Sequence, residues 1–389
     1  MLEQNFDDIR PYYNHEINGA VCRILEDPIF EVVAPFVYPD LSIMQIREKL
    51  FNVQSIEDFQ MQIMHAAVKQ IINKSIASFS YNGFEYLDKT KSYLFISNHR
   101  DILLDSALFE LGLHELGFQT TEITFGSNLM KPDFVIEIGK SNKMFKVERG
   151  GSPRDFLKNS KYLSNYIRHT LLNKKVSIWI AQRNGRTKDG NDTTDQGILK
   201  MFCMSSHKNI IENLSELNIV PVSISYQWEP CDILKVREIC LKQKENKYIK
   251  ADNEDLNSIL TGIKQFKGNV HVEVSQPITH NELMQFNKLE KNELYSSIAK
   301  LIDTRIHCSY KLSNNNFIAF DIENNSTCFL NNEYTLAERE LFITKMEQNI
   351  NQLDADINEV KPIYLGIYSN PVKNQISAKL SLKNNSIVD

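Results

Sequence analysis

The sequence lacks the features that define membrane-spanning, fibrous and disulfide-stabilised proteins. No apolar run approaches the roughly 18 to 20 residues that a spanning helix requires, since the densest one, at 32–37, is interrupted by Pro35. Glycine (14 residues) and proline (11 residues) are scarce, which excludes a collagen-like or linker-dominated chain. The six cysteines are scattered and form no C-x-x-C pair, so we expect reduced thiols rather than a disulfide scaffold.

An excess of positive charge is also missing. The chain has 44 Lys and Arg against 49 Asp and Glu, a net charge of -5, which excludes nucleic acid as an expected partner. The first ten residues are acidic and lack the basic-then-apolar order of a signal peptide. We therefore expect a cytoplasmic protein whose contact with the inner face of the cytoplasmic membrane is transient and peripheral.

The apolar content is that of an ordinary folded protein, with 42% hydrophobic residues in 389. At about 150 residues per domain, this length predicts one large domain with appendages, or two to three units. Residues 1–80 are predicted to form a helical N-terminal region, and we favour its packing on the next domain over a membrane-lying role because its polar face is not strongly basic. The helical spacing is carried by Met61, Met64, Val68, Ile71, Ile72 and Phe79.

Residues 81–280 alternate short apolar runs with helical stretches, which predicts an α/β domain with crossover helices. One helix start is well marked, because Ser152 can cap the helix, Pro153 suits its first position and Asp155 its third. The predicted strands are the runs at 93–96, 122–125, 144–147, 176–181, 219–224 and 270–274.

Residues 281–389 are predicted to be mostly helical, because the strand signal fades after Pro277. A seam of apolar residues steps mostly by three and four but is interrupted at Arg339. Barely three heptads are present, so packing within the chain is favoured over a dimerising coiled coil, and the oligomeric state stays open. The seam consists of Leu336, Ile343, Met346, Ile350, Leu353, Ile357 and Val360.

The segment 96–106 places ionisable side chains where a strand ends and a helix begins, the usual ligand-binding position in α/β sheets. His99 is followed by Asp101 and Asp105, the parts of a general base with an orienting carboxylate. A surface turn with an N-cap is the alternative. The catalytic loop of protein kinases also contains His-Arg-Asp. A kinase is excluded because the sequence has neither the Gly-rich loop nor the D-F-G motif that a kinase requires.

This segment resembles the first motif of the PlsC-type glycerolipid acyltransferases, which is asparagine or serine followed by H-x-x-x-x-D. Here Asn98 and His99 are followed by Asp105, one residue further than in the family. The resemblance implies a mixed sheet flanked by helices, with helical N- and C-terminal additions. It also implies that His99 is the catalytic base, that Asp105 orients it with Asp101 as the fallback, and that Asn98 belongs to the substrate site.

Further segments follow in the family's order. The run 144–149 resembles the second block, which implies that Phe145 and Arg149 bind substrate and that Arg149 holds a glycerol phosphate. An ion pair of Arg149 with Glu148 or Asp155 is the alternative.

The run 179–187 is similar to the third block, although Asn184 stands where the family has glutamate. This similarity implies that Arg186 contacts the charge of the acceptor, together with Gly185 and with Arg183 or Lys188. The run 219–224 resembles a fourth block, a strand that lines the acyl channel, and 268–278 resembles the closing strand. About 110 C-terminal residues are not covered by the resemblance.

The implied activity is acyl transfer from acyl-CoA or an acyl-carrier protein to the hydroxyl of glycerol-3-phosphate or a lysophospholipid, in phospholipid biosynthesis. The acyl thioester is a co-substrate, and no further cofactor or metal is expected, because the histidines show no ligand-like spacing. Two alternatives stay open: a lipid-binding protein that has lost the chemistry, and an O-acyltransferase for an amino-acid-derived lipid.

Overall fold

A seven-stranded mixed sheet lies at the centre of the computed structural model, which describes residues 5–245, 248, 250–251 and 254–385. Across the sheet the strands are ordered β1-β7-β6-β2-β5-β3-β4. All neighbouring pairs are parallel except β6 and β7, so β1 and β7 run opposite to the other five strands. The α/β class with a mixed sheet is therefore confirmed. The strands are β1 (Ile76–Asn82), β2 (Leu94–Ser97), β3 (Glu122–Gly126), β4 (Met144–Val147), β5 (Ile178–Ala181), β6 (Ile219–Tyr226) and β7 (Gly268–Val274).

Helices precede, flank and follow this sheet. The first group is α1 (Asn14–Glu26), α2 (Pro28–Val37), α3 (Ile43–Phe51) and α4 (Ile56–Phe59), which continues through the π-helical segment Gln60–His65 into α5 (Ala66–Ser75). The helices between strands are α6 (Leu104–Glu115), α7 (Asp133–Ser141), α8 (Pro153–Arg168), α9 (Gln196–Phe202), α10 (Ile210–Ser215), α11 (Asp232–Glu245) and α12 (Glu254–Lys264). The last group is α13 (His280–Met284), α14 (Lys291–Cys308), α15 (Asn314–Glu323), α16 (Leu336–Ile350) and α17 (Ile357–Asn385).

Each of the six apolar runs contains a strand, because the central strands are covered by helices on both faces. Two hydrophobic cores result, one around Leu94 and Ile180 and one around Phe95 and Val220. The predicted start of α8 is also confirmed, with Ser152 and Asp155 forming a capping box.

The helical pattern that we extended to Phe79 is wrong at its end. The helix stops at Ser75, and Phe79 lies in β1, paired in register with Val270 of β7. Phe79 lies beyond the end of the helix and matched the 3.6-residue period by coincidence. Its pairing with a strand nearly 200 residues away produces no local pattern in the sequence. β1 thus spans the boundary at residue 80 that the sequence predicts between the first two regions.

The C-terminal helices α15, α16 and α17 pack on one another and on Trp228 in a hydrophobic core of their own. Met346, Ile350 and Val360 are buried in that core, which confirms packing within the chain for these positions. The predicted seam is not one helix, since α16 ends at Ile350 and α17 begins at Ile357. In the part of the chain that the structure describes, no helix is both long and apolar enough to cross a membrane.

Candidate active site

The segment after β2 holds the predicted catalytic residues at the carboxyl end of a central strand. β2 lies between β5 and β6, so residues 98–103 emerge in the middle of the sheet edge. Asp101 caps α6, because its Oδ1 accepts hydrogen bonds from the backbone N of Leu103 (2.9 Å) and Leu104 (2.8 Å). His99 therefore precedes the helix in a loop, and this loop accommodates the one extra residue of the motif.

Asp105 is the carboxylate that contacts His99. Its Oδ2 lies 2.9 Å from His99 Nδ1 and also accepts from the backbone N of Arg100 (2.5 Å) and Asp101 (2.9 Å). Its Oδ1 accepts a hydrogen bond from the Tyr226 hydroxyl at 2.7 Å. Burial and the neighbouring Asp105 raise the pKa of Tyr226 well above its ordinary value, so this hydroxyl stays a donor. Four hydrogen bonds thus fix the rotamer of a carboxyl group that is only 2% exposed.

The pairing of Nδ1 with Asp105 favours the His99 tautomer whose Nε2 carries a lone pair. Nε2 has no hydrogen-bond partner among the residues described, and His99 lines a cavity. The ring meets Trp179 edge to face, with ring centroids 5.9 Å apart. An imidazole held in this way has the geometry of a general base.

Asp101, the fallback partner, is not brought to His99. Its Oδ1 is used in the helix cap, and its Oδ2 is buried without a hydrogen-bond partner among the described residues. Burial and the charge of Asp105 raise the pKa of Asp101.

The cavity has a volume of about 580 Å³. It is lined by residues of β3, β4 and β5 and by helices from both faces of the sheet. Much of its wall is apolar, including Phe125, Ile138, Met144, Leu163, Trp179 and Met201. The run 219–224 does not line the cavity, so the predicted channel role of this strand is wrong. β6 is instead buried between β2 and β7, and it contributes Tyr226 to Asp105.

The predicted cationic residues Arg149, Arg183, Arg186 and Lys188 all line this one cavity. The alternative ion pairs of Arg149 are not formed, because Glu148 pairs with Lys146 at 2.6 Å and Asp155 bonds Ser152 in the helix cap. Gly185 also lines the cavity and has a φ of +77°, a conformation that glycine adopts without strain.

Arg186 and Lys188 differ in their partners. Arg186 Nη1 is buried and has no hydrogen-bond partner within the described residues. Lys188 forms an ion pair with Glu238. Arg186 forms no salt bridge among the described residues, and its charge acts on the nearby carboxyl groups of Asp101 and Asp255 and on the Cys231 thiol. A guanidinium group without a salt bridge can bind an anion through its remaining donors.

Asn98 and Phe145 do not have the predicted substrate-binding positions. The Asn98 amide group is buried, bonds both the N and O of Ile224, and donates to Asp192 at 3.1 Å, so it joins β2 to β6. Phe145 is fully buried and packs on Tyr166, with ring centroids 5.1 Å apart. Neither residue lines the cavity. A motif position cannot show which face of a strand a side chain occupies, and here both side chains face the interior.

Sequence reasoning missed a buried ionic network around Arg100. Arg100 contacts Asp192 at 2.7 Å and Glu229 at 3.3 Å, and Lys235 contacts Glu229 at 2.6 Å. Arg100 lies next to His99 in the motif, but Asp192 and Glu229 follow it by 92 and 129 residues, so no local signal links them. Among the described side chains, no group of three or more His, Cys, Asp or Glu could hold a metal ion.

Comparison with known proteins identifies no close relative. No protein-family model and no curated protein matches the chain. The crystal structure of the 1-acyl-sn-glycerophosphate (LPA) acyltransferase PlsC from Thermotoga maritima is similar over 74% of this chain and 92% of that chain, with 14% sequence identity and a TM-score of 0.35. A likeness this distant assigns no activity to this chain.

Proposed function

We propose that the protein transfers a fatty acyl group from a thioester, acyl-CoA or an acyl-carrier protein, to the hydroxyl of glycerol-3-phosphate or a lysophospholipid. The observation that carries this proposal is the free Nε2 of His99, fixed through Nδ1 by Asp105, in a cavity that combines apolar walls with unpaired arginines. Apolar walls suit an acyl chain, and guanidinium groups suit the phosphate of an acceptor. Phospholipid biosynthesis is the process in which such a transfer belongs.

In the proposed reaction, His99 Nε2 takes the proton of the acceptor hydroxyl while its oxygen attacks the thioester carbonyl carbon. Asp105 stabilises the imidazolium that forms. The C–S bond then breaks, the sulfur leaves with the proton carried by His99, and the products are an oxygen ester and a free thiol.

The oxyanion that develops on the carbonyl requires nearby donors. The backbone N–H groups of Gly185 and Arg186 make no hydrogen bond to any described residue, whereas that of Thr187 bonds the His99 carbonyl at 2.7 Å. Gly185 and Arg186 line the cavity, which makes their N–H groups the candidates for this role.

The shifted aspartate of the motif was one reason to consider a non-catalytic lipid-binding protein. The loop placement of His99 removes that reason, because Asp105 reaches the imidazole despite the extra residue. Asn184, the other departure from the family pattern, is exposed and lacks the charge of the family's glutamate. The catalytic alternative is therefore the better supported one.

The test measures acyl transfer from palmitoyl-CoA to glycerol-3-phosphate, lysophosphatidate and glycerol. The release of free thiol reports the rate. His99→Ala should lower kcat by about 10²- to 10⁴-fold, the usual contribution of a general base, with the unfolding temperature retained. His207→Ala, which changes an exposed histidine outside the cavity, is the matched control and should be near wild type. Near-normal turnover of His99→Ala with every acceptor would rule out the proposed reaction.

A further inference from the structure

The loop that follows β5 carries three of the cavity's cationic residues. This segment, residues 182–195, is called the cationic loop, and it contains Arg183, Arg186 and Lys188. On one side it is tied to the His99 segment. The backbone N of Gln182 donates to the Ser97 carbonyl at 2.8 Å, and that of Thr187 donates to the His99 carbonyl at 2.7 Å.

The other side of the cationic loop is held by α14 and the residues just after it. Asp303 Oδ1 accepts from both the backbone N (2.8 Å) and the Oγ1 (2.6 Å) of Thr194. His307 Nε2 lies 2.7 Å from the carbonyl oxygen of Asp192, and the Tyr310 hydroxyl donates to Asp192 Oδ2 at 2.5 Å. These contacts bind the backbone and the buried carboxylate of the loop.

Helix α17 completes the contact. Asn370 Nδ2 donates to the carbonyl of Asp189 at 2.7 Å, and Asn374 Nδ2 donates to Asn191 Oδ1 at 3.2 Å. Gly190, with a φ of +75°, lies so close to the helix that a Cβ here would collide with the carbonyl oxygen of Ile367. The loop backbone therefore packs directly on the helix backbone, an approach that only glycine permits.

We propose that α14 and α17, in the region that no family motif covers, are a positioning element for the anion-binding part of the site. They hold the cationic loop against the His99 segment, so that the guanidinium groups of Arg183 and Arg186 face a bound phosphorylated acceptor. This role rests on the proposed function. It assigns a purpose to two C-terminal helices that are anchored differently: α14 packs in the sheet core around Leu94 and Ile180, whereas α17 packs in a separate core with α15 and α16.

The contacts that α14 and α17 make with the cationic loop are concentrated near the His99 segment, which distinguishes them from general helix packing. They reach residues 189–194 of the loop and Asp192, which also receives hydrogen bonds from Asn98 and Arg100 of the His99 segment. Asp192 thus connects α14 to the residues on both sides of His99. Loss of one such contact should shift the loop and its cations before it affects the fold, because the hydrophobic core of α15–α17 is left intact.

The test uses Asn370→Ala and Tyr310→Phe in the full chain, because each removes one donor to the loop. The KM for glycerol-3-phosphate should rise about 3- to 10-fold, the equivalent of one lost hydrogen bond, while the KM for palmitoyl-CoA changes less than about 2-fold. Asn370→Gln keeps an amide donor and should recover most of the affinity. Ser381→Ala is the matched control on α17, since its hydroxyl donates to the Ser377 carbonyl of its own helix.

Two further measurements separate this role from its alternatives. Hydrogen exchange over 183–194 should be faster in Asn370→Ala and Tyr310→Phe, whatever reaction the site catalyses. If His99→Ala abolishes transfer but neither variant changes the KM for glycerol-3-phosphate, the positioning role is wrong and the proposed function stands. If both KM values rise while kcat and the unfolding temperature fall, the helices only stabilise the fold, and the positioning role is likewise wrong. Normal turnover of His99→Ala with faster loop exchange would contradict the proposed function alone.

Discussion

Two groups of cationic side chains border the His99 segment, and they differ in how their charge is balanced. In the Arg100 network, formed by Arg100, Asp192, Glu229 and Lys235, every charged group is buried and has an opposite charge within 3.3 Å. At the cavity the lysines are also paired, Lys146 with Glu148, Lys188 with Glu238 and Lys250 with Asp255. The arginines 149, 183 and 186 form no salt bridge among the described residues, although the charge of Asp255 acts on Arg149 and Arg186 and that of Asp101 on Arg186.

This difference separates charges that the fold uses from charges that it leaves available. A buried ion must be paired inside the protein, since its desolvation is otherwise too costly. An arginine at a cavity wall can stay unpaired because solvent, or an anionic ligand, satisfies it. The arginine side chain also presents two parallel donors, which match a phosphate better than an ammonium group does. The unpaired arginines are therefore the part of the site that we expect to meet an anion.

The largest effect on stability is expected when the Arg100 network loses its central cation. Arg100→Met leaves Asp192 and Glu229 buried without their guanidinium partner, so the free energy of unfolding should fall by about 3–5 kcal/mol. Denaturant unfolding measures this loss. Arg149→Met makes the same substitution at an exposed position without an ion pair, and it should cost less than about 0.5 kcal/mol. Equal losses in the two variants would show that pairing does not distinguish the two groups.

A buried acid that forms no salt bridge among the described residues extends the comparison to negative charge. Burial works to raise the pKa of Asp192, but Arg100 lowers it below its ordinary value. Glu110 in α6 is also buried, and among the described residues it accepts hydrogen bonds from Thr121 alone. Burial raises the pKa of Glu110 to about 7, although the charge of Lys143 works to lower it. The pKa values of the two acids are therefore shifted in opposite directions, that of Asp192 down and that of Glu110 up.

The stability of the protein should depend on the protonation of Glu110. Because the folded-state pKa is above the unfolded value, the stabilisation is complete below the unfolded pKa of 4.5 and is lost as the pH rises through about 7. Relative to Glu110→Gln, the wild type should therefore lose about 2 to 3 kcal/mol of unfolding free energy between pH 4.5 and pH 8. Urea unfolding at both pH values measures the difference. A constant difference would mean that Glu110 is ionised throughout, despite its burial.

The same contrast explains what the sequence could predict. The strands were found because the central ones are buried on both faces and form continuous apolar runs. The cationic residues were predicted from the resemblance to the family's motifs. The structure brings them to one cavity because they follow strands β4 and β5, and the carboxyl ends of parallel strands share one edge of the sheet. Asn98 and Phe145 were misjudged, since the choice between interior and cavity depends on the register of strands far away in the chain. The Arg100 network and Tyr226 depend on contacts across 90 to 130 residues, for which a single sequence holds no local pattern.

The smallest effect is expected at the unpaired arginines, and it tests function rather than folding. Arg149→Ala should raise the KM for glycerol-3-phosphate about 10-fold, as expected for one lost hydrogen bond to a charged group, and leave the KM for palmitoyl-CoA within about 2-fold. Lys146→Ala is the matched control, because Lys146 lies in β4 just before Arg149 and also lines the cavity but is paired with Glu148. Its effect should be below about 3-fold.

Glycerol as the acceptor separates charge recognition from a change in shape, because it lacks the phosphate group. Arg149→Ala and the wild type should then transfer at similar rates. Lys146→Ala and Arg149→Ala could instead weaken glycerol-3-phosphate binding equally. An existing ion pair would then not reduce the availability of a cation, and the distinction between paired and unpaired cations would have no functional meaning. If Arg149→Ala instead impairs only the thioester, the arginine binds the donor, and an uncharged, amino-acid-derived acceptor becomes the better candidate for the hydroxyl substrate.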